Sequence, residues 1–349
     1  MSSTEELVDI RPQHRFDQAA LARHLAARLP AAFTGALTVR QFEGGQSNPT
    51  FLLEVGGPGG ERYVLRKKPP GKLLPMAHMV DREYRVMKAL EGSRVPVPRM
   101  LLLEEDESVI GTAFFVMEYI RGRVFPDPSF PGVSAAERRA LFSEMARVMA
   151  ELHRVDYRAC GLEDFGKPGN YFARQIGRWT KQYEASKTDP VPAMDRLIEW
   201  LPRNVPDDDT TTIAHGDYRP HNILFHPTEP RVVGVLDWEL ATLGHPMADV
   251  AYNCIPYHVA NLSELARDAR SGVPSEDEYV TEYCRAAGRT RIDGWPFYVA
   301  FSLFRLASIS QGVYKRGLDG NAASARALTA RDSVVQLAEA ASRLVLPAS

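Results

Sequence analysis

The sequence predicts an α+β fold: a small antiparallel β-sheet lobe followed by a larger, mostly helical lobe, with the cleft between them as the natural ligand site. Three observations predict it. The hydrophobic pattern changes near residue 120, from short or alternating apolar runs to helical spacing. A single amphipathic helix interrupts the early runs. There is no internal repeat, and Pro126-Asp127-Pro128 with Pro131-Gly132 marks an irregular connection just after the change.

In chain order, residues 1–34 form a helical extension, 35–120 a sheet lobe and 121–349 a helical lobe. Five strands are expected at Leu37–Phe42, Thr50–Val55, Arg62–Lys67, Arg99–Glu104 and Thr112–Glu118, with the helix at about Ala77–Leu90. Helices are expected at Ala135–Arg154, Tyr171–Glu184, Ala193–Leu201, Asn261–Ala269, Glu276–Ala287, Pro296–Lys315 and Ser324–Leu344.

With 349 residues, 44% hydrophobic and 25% charged, the chain can bury a sizeable core. Its 42 basic residues balance 44 acidic ones, so no bulk charge favours nucleic acid or membrane. No apolar stretch has the length of a membrane span, and the first residues lack the basic start and apolar core of a signal peptide. Cys160, Cys254 and Cys284 are scattered singly, against a disulfide framework or a thiolate metal site, so a reducing cytoplasm is the expected location.

The chemistry-bearing run is His215-Gly216-Asp217-Tyr218-Arg219-Pro220-His221-Asn222, with Asp237-Trp238-Glu239 beginning fifteen residues after Asn222. Kinase-type phosphoryl transfer needs this order. One Asp orients an attacking hydroxyl and accepts its proton, while an Asn and a second Asp hold Mg²⁺ against nucleotide phosphates. Ile223-Leu224-Phe225 and Val232-Val233-Gly234-Val235-Leu236 read as strands around a Pro-rich turn, a hairpin that would present Asn222 and Asp237 at one mouth.

Together with Gly244-His245-Pro246-Met247-Ala248-Asp249, these runs resemble the aminoglycoside phosphotransferase and choline kinase-like superfamily, relatives of protein kinases. Tyr63-Val64-Leu65-Arg66-Lys67-Lys68-Pro69-Pro70-Gly71 and Asp81-Arg82-Glu83-Tyr84-Arg85 resemble the branch fused to some acyl-CoA dehydrogenases. The resemblance spans roughly residues 35 to 320. It implies a protein kinase-like fold, with ATP and Mg²⁺ as cofactors, Asp217 as base and Asn222 and Asp237 as metal ligands. It also implies a hinge whose main chain at Glu118 and Ile120 faces the adenine, and a His215 packed beneath the loop as a brace.

Other roles rest on position. Strand alternation turns Arg66 inward where protein kinases carry a phosphate-binding lysine, with Glu83 as its partner. Lys67 points to the opposite face, Lys68 remains a second candidate, and the Lys67-Lys68-Lys72 cluster reads as solvated surface. Gly44-Gly45-Gln46-Ser47-Asn48 sits where a hairpin can fold over phosphates, with Ser47 and Asn48 as the contacts. Arg219 is placed to neutralise charge on the transferred group. Asp249 is a helix N-cap or a brace for the loop. Glu239 is a metal helper or a solvated acid, and His221 is undecided between a supporting and a surface role.

The acceptor is narrowed by what the chain lacks. The segment from Asp237 to Asp249 is too short for the activation loop of a protein kinase, no Ala-Pro-Glu follows, and Gly216 stands where protein kinases carry an arginine. A small-molecule hydroxyl acceptor and constitutive activity follow. From His258 onward ten acids face eleven Lys and Arg, which disfavours a polycationic aminoglycoside, with an antibiotic (aminoglycoside or macrolide) or choline-type kinase kept as an alternative. Arg305, on an apolar helix, either bridges a structural acid or binds a substrate anion. A hydroxyacyl-CoA or lipid-like hydroxy acid, with a link to acyl-CoA metabolism, fits by analogy. The rival from another class is a catalytically silent nucleotide-binding regulatory module.

Overall fold

The computed structural model describes residues 7–43, 48–57, 59–69, 79–260, 262–320 and 325–346. In chain order the first elements are β1 (Leu7–Val8), α1 (Gln18–Arg28), β2 (Leu37–Phe42), β3 (Thr50–Val55), β4 (Glu61–Lys67), α2 (Val80–Leu90), β5 (Met100–Glu104) and β6 (Phe114–Glu118). Then come α3 (Ala135–Arg154), α4 (Tyr171–Ser186), α5 (Pro192–Trp200), β7 (Thr212–Ala214), β8 (Ile223–Phe225), β9 (Val232–Val235) and β10 (Thr242–Gly244). The chain finishes with α6 (Met247–Cys254), α7 (Pro256–Val259), α8 (Leu262–Arg267), α9 (Glu276–Ala287), α10 (Trp295–Leu318) and α11 (Ala330–Val345).

By packing the chain divides into two units. The sheet unit comprises Met1–Asp127, Cys160–Leu162 and Pro220–Ala241, and the helical unit comprises Pro128–Ala159, Glu163–Arg219 and Thr242–Ser349. The β8–β9 hairpin, which follows the helices in sequence, therefore packs with the sheet. A backbone bridge holds it there: Arg123 N donates to Phe225 O at 2.7 Å and Phe225 N to Arg123 O at 2.9 Å. Gly122 permits this approach, because a Cβ there would stand 2.8 Å from Phe225 O.

The sheet is antiparallel in the order β1-β2-β3-β4-β6-β5. Five of its strands match the expected runs to within two residues at each end. The sixth, β1, is two residues long and carries too little pattern to be read. Period-two alternation gives the sheet two buried faces. Phe51, Leu53, Leu65, Phe114 and Val116 on one face pack with Leu21 and Leu25 of α1. Arg66, between Leu65 and Lys67, points to the other. Lys67, back on the Leu65 face, is a correction to the solvated-surface reading: it is 4% exposed, with its ammonium 6.0 Å from the ring of Phe16 in the N-terminal segment that packs there.

In the helical unit α10 is the central element, packed on α4, α6 and α11, while α3 packs on α9. Phe297, Phe301, Leu303, Phe304 and Ala307 give α10 its buried surface. Ser275 caps α9 with a complete capping box to Glu278. The two-stranded β7–β10 ladder pairs Ala214 with Thr242 and sets the start of the chemistry-bearing loop. Among the described residues no helix is long and apolar enough to cross a membrane.

Candidate active site

In the helical unit the loop leaving β7 is fastened from several sides. Asp249 is fully buried on the first turn of α6, and its Oδ2 and Oδ1 accept the main-chain N–H groups of His215 at 2.7 Å and Gly216 at 2.8 Å. His153 Nε2 stands 3.2 Å from the same carboxylate, and its Nδ1 lies 2.8 Å from the hydroxyl of Tyr283. Burial alone would raise the Asp249 carboxyl; the His153 hydrogen bond and the nearby histidines and Gly216 N–H hold it below the usual range. The N-cap position of α6 is Pro246, so Asp249 is the brace and not the cap. His215 is also fully buried, with Nδ1 accepting the Asp217 N–H at 3.2 Å. Gly216 has φ +83°, a left-handed conformation that favours glycine.

This frame presents the Asp217 carboxylate with both oxygens engaged. Tyr252 donates its hydroxyl to Oδ1 at 2.8 Å, and Arg219 Nε lies 3.2 Å from Oδ2. Burial first, and the Asp217 charge second, push the Tyr252 phenol up, so it stays a proton donor to the carboxylate. Asn253 Nδ2 donates to Tyr218 O at 2.8 Å, and Tyr218 donates its hydroxyl to Met145 O at 2.9 Å, which pins the following residue. Arg305 Nη2 donates to Gly216 O at 3.0 Å.

The sheet unit carries a separate cluster of charge. Arg66 Nη2 donates to Asp237 Oδ1 at 2.6 Å and stands 4.0 Å from Glu239 Oε2. Its Nε lies 3.1 Å from Glu83 Oε2, an ion pair at an angle that forms no hydrogen bond. Asn48 Nδ2 donates to the other Glu83 oxygen at 2.8 Å. Burial pushes the Glu83 carboxyl up to about 7 against the pull of Arg66, with Asp237 and Glu239 adding to the rise. Of the two candidates Arg66 and Lys68, Arg66 carries the contact to Glu83. Asn48 is fully buried with its amide on Glu83, so its side chain belongs to this cluster. Gly44, Gly45, Gln46 and Ser47 lie outside the described residues.

Asn222 and Asp237 stand at the same end of the β8–β9 hairpin. The ladder pairs Ile223 with Val235, and the next rung is Leu236 N donating to Asn222 O at 2.9 Å. Asp237 follows in a left-handed conformation, φ 64° and ψ 61°, which asparagine and aspartate tolerate better than other side chains. Carboxylate oxygens of Glu83, Asp237 and Glu239 fall within 4.8 Å of one another. Such hard oxygen donors suit Mg²⁺. Arg66 reaches all three, but Glu83 is 1% exposed with Asn48 on one oxygen, so the more exposed Asp237 and Glu239, with side chains 32% and 23% exposed, are the donors that fit. Glu118 ends β6 with its N–H donated to Arg99 O at 3.0 Å, and the Ile120 side chain packs towards Gly234 in the hairpin.

Sequence reasoning missed Tyr252, Trp179, His153 and Tyr283. Tyr252 had a signal, since it follows Asp249 by three residues and shares its helix face. His153 of α3 reaches Asp249, Tyr283 of α9 reaches His153, and Trp179 of α4 lies against the Arg305 guanidinium, all far away in sequence.

Residues 38–298 match the model of a family described as a phosphotransferase enzyme family. Acyl-CoA dehydrogenase family member 10 of Mus musculus is 46% identical over 338 residues, covering 95% of this chain but only 31% of that protein. The chain thus spans less than half the length of this curated relative. A solved structure of a putative aminoglycoside phosphotransferase from Ralstonia eutropha is 50% identical, covers 95% of this chain and 98% of that one, and superposes with a TM-score of 0.85. An aminoglycoside phosphotransferase in complex with ADP and hygromycin B, 16% identical and covering 94% of this chain and all of the other (100%), shares the fold at a TM-score of 0.60. The fold is kinase-like, and by sequence and structure the chain belongs to the phosphotransferase enzyme family.

Proposed function

We propose that the protein is an ATP- and Mg²⁺-dependent kinase that transfers the γ-phosphate to a hydroxyl group of a small metabolite. The observation that carries this reading is Asp217, a carboxylate presented at the end of a loop fixed by Asp249, with Tyr252 and Arg219 orienting its two oxygens. A carboxylate held this way is set to orient an acceptor hydroxyl and take its proton as the phosphoryl group leaves the nucleotide. Arg219 offsets negative charge next to it, and His215 and Asp249 keep the loop in place.

Arg66 supplies a permanent cation for the nucleotide phosphates, positioned by Glu83 and Asn48. Asn222 and Asp237, with Glu239 alongside, would hold Mg²⁺, which supplies charge neutralisation at the phosphates when bound. The main chain at Glu118 and Ile120 would take the adenine. Nucleotide use is supported by the family and by the ADP held in a structure of the same fold. The name of the mouse relative supports an acceptor from acyl-CoA metabolism, a hydroxyacyl-CoA or a related lipid-like hydroxy acid.

The test is ATP consumption by the purified chain against hydroxyacyl-CoAs, free hydroxy acids, choline, sugars and aminoglycosides, with Asp217→Asn as the control. Turnover with an acyl-linked hydroxyl, abolished in the control, supports the reading. Nucleotide binding with no turnover on any acceptor would replace it with a silent regulatory module.

A further inference from the structure

α10 buries apolar side chains along most of its length, yet it places a guanidinium in the middle of that surface. Arg305 is 8% exposed. Its Nη2 donates to the carbonyl of Gly216, but its Nε is buried without a hydrogen-bond partner. No carboxylate among the described residues pairs with it, so the structural-acid explanation for a buried arginine has no support here. The guanidinium carbon instead lies 5.7 Å from the ring of Trp179 and 5.5 Å from the ring of Tyr252. Two aromatic walls and one carbonyl leave most of its fork of donors unspent.

A buried cation is costly unless an opposite charge meets it, and an apolar side chain of similar length would fill the same space without that cost. Among the described residues no carboxylate stands within ion-pairing distance of the guanidinium, which leaves that place to a bound anion. Its position says from where. Arg305 touches the residue immediately before Asp217, and Tyr252 both walls the guanidinium and donates to the Asp217 carboxylate. All of these groups lie in the helical unit.

We propose that Arg305, walled by Trp179 and Tyr252, is the anion-binding residue of the acceptor site, taking a carboxylate or phosphate ester that lies close to the acceptor's reacting hydroxyl. The inference rests on the kinase reading for its biological meaning and on Arg305 alone for its physics. It makes Arg305 a specificity-determining residue. A planar fork accepts either anion in two-point fashion, which a lysine ammonium cannot reproduce. Polycationic acceptors are refused because they would bring like charge to a desolvated guanidinium.

The experiment measures thermal midpoint and tryptophan fluorescence of the full chain with 3-hydroxybutyrate, its methyl ester and glycerol 3-phosphate, at fixed ionic strength. Wild type, Arg305→Met, Arg305→Lys and Tyr252→Phe are compared. The carboxylate or the phosphate ester should raise the wild-type midpoint in a saturable way, and whichever arm responds identifies the anion. The neutral ester should not. Arg305→Met should abolish the response while leaving the unliganded midpoint within a few degrees, and Arg305→Lys should weaken it roughly tenfold. Tyr252→Phe should keep it, since the ring remains.

With a turned-over acceptor, Arg305→Met should raise KM at least tenfold and change kcat less. An ester response equal to that of the acid, or a response that survives in Arg305→Met, overturns the proposal. If Arg305→Met does not fold, an Arg305→Lys response equal to wild type does so instead. The two readings fail separately. Arg305-dependent anion binding without any ATP consumption leaves this site and removes the kinase, whereas phosphorylation of neutral alcohols unaffected by Arg305→Met leaves the kinase and removes this site.

Discussion

At Asp217 the two engaged oxygens define what a single substitution can separate. Asn keeps the shape and the Tyr252 contact but cannot take a proton, and it is not one of the proposed metal ligands. Asp217→Asn is therefore expected to lower kcat by about 10²–10⁴ while the nucleotide Kd, read by calorimetry, stays within about twofold. Equal loss of nucleotide affinity would remove Asp217 from the role of base. Asp249 is different in kind, because it satisfies two buried N–H groups at once. Asp249→Ala leaves them without acceptors and should cost about 3 kcal/mol in urea unfolding. Asp217, Asn222 and Asp237 could be put forward as candidates from the sequence because order and spacing along one stretch single them out. Trp179 and His153 were not, because only tertiary packing brings α4 to Arg305 and α3 to Asp249, and no local pattern records it.

At the scale of elements, most of the strands and helices that were read correctly are long enough to show a period, and the three-residue β8 was read from its apolar run beside a Pro-rich turn. β2, β3, α3 and α9 coincide with the expected runs, while β1, β7 and β10, of two or three residues, fall below one repeat of any pattern. The β7–β10 ladder nevertheless sets the loop, and its tight point is Gly244. A Cβ there would meet the Tyr171 ring at 2.9 Å and Ala214 Cβ at 3.0 Å. Gly244→Ala should destabilise by about 1–3 kcal/mol through overpacking, with a loss of turnover larger than the loss of nucleotide binding. The capping box of α9 offers a contrast away from the loop. Ser275→Ala should cost about 1 kcal/mol and leave kinetics unchanged, a difference visible by comparing denaturation with steady-state rates.

For the molecule as a whole, acid stability is set partly by His245. It is 1% exposed, stacked on Tyr298 with centroids 5.4 Å apart, and burial pulls its value down to about 4 despite Asp208 at 3.4 Å. Folded, it resists protonation; unfolded, it titrates near 6.5. The sign follows: its contribution is complete above about pH 6.5 and is lost as pH falls towards 4, amounting to at most about 3 kcal/mol. Urea midpoints from pH 7 to pH 4.5 should fall more steeply for wild type than for His245→Gln, and equal slopes would clear His245 of the effect.

The same whole-chain view gives Gly216 a further meaning. Protein kinases that are governed by loop phosphorylation read it through an arginine at this place, and a glycine codon can become an arginine codon by one base change. Here that step meets a backbone at φ +83°, held there by Asp249 below and Arg305 beside it. An arginine would have to bear left-handed strain before it sensed anything. The one-base step to arginine at residue 216 thus carries a backbone cost of about 1–2 kcal/mol that the glycine avoids.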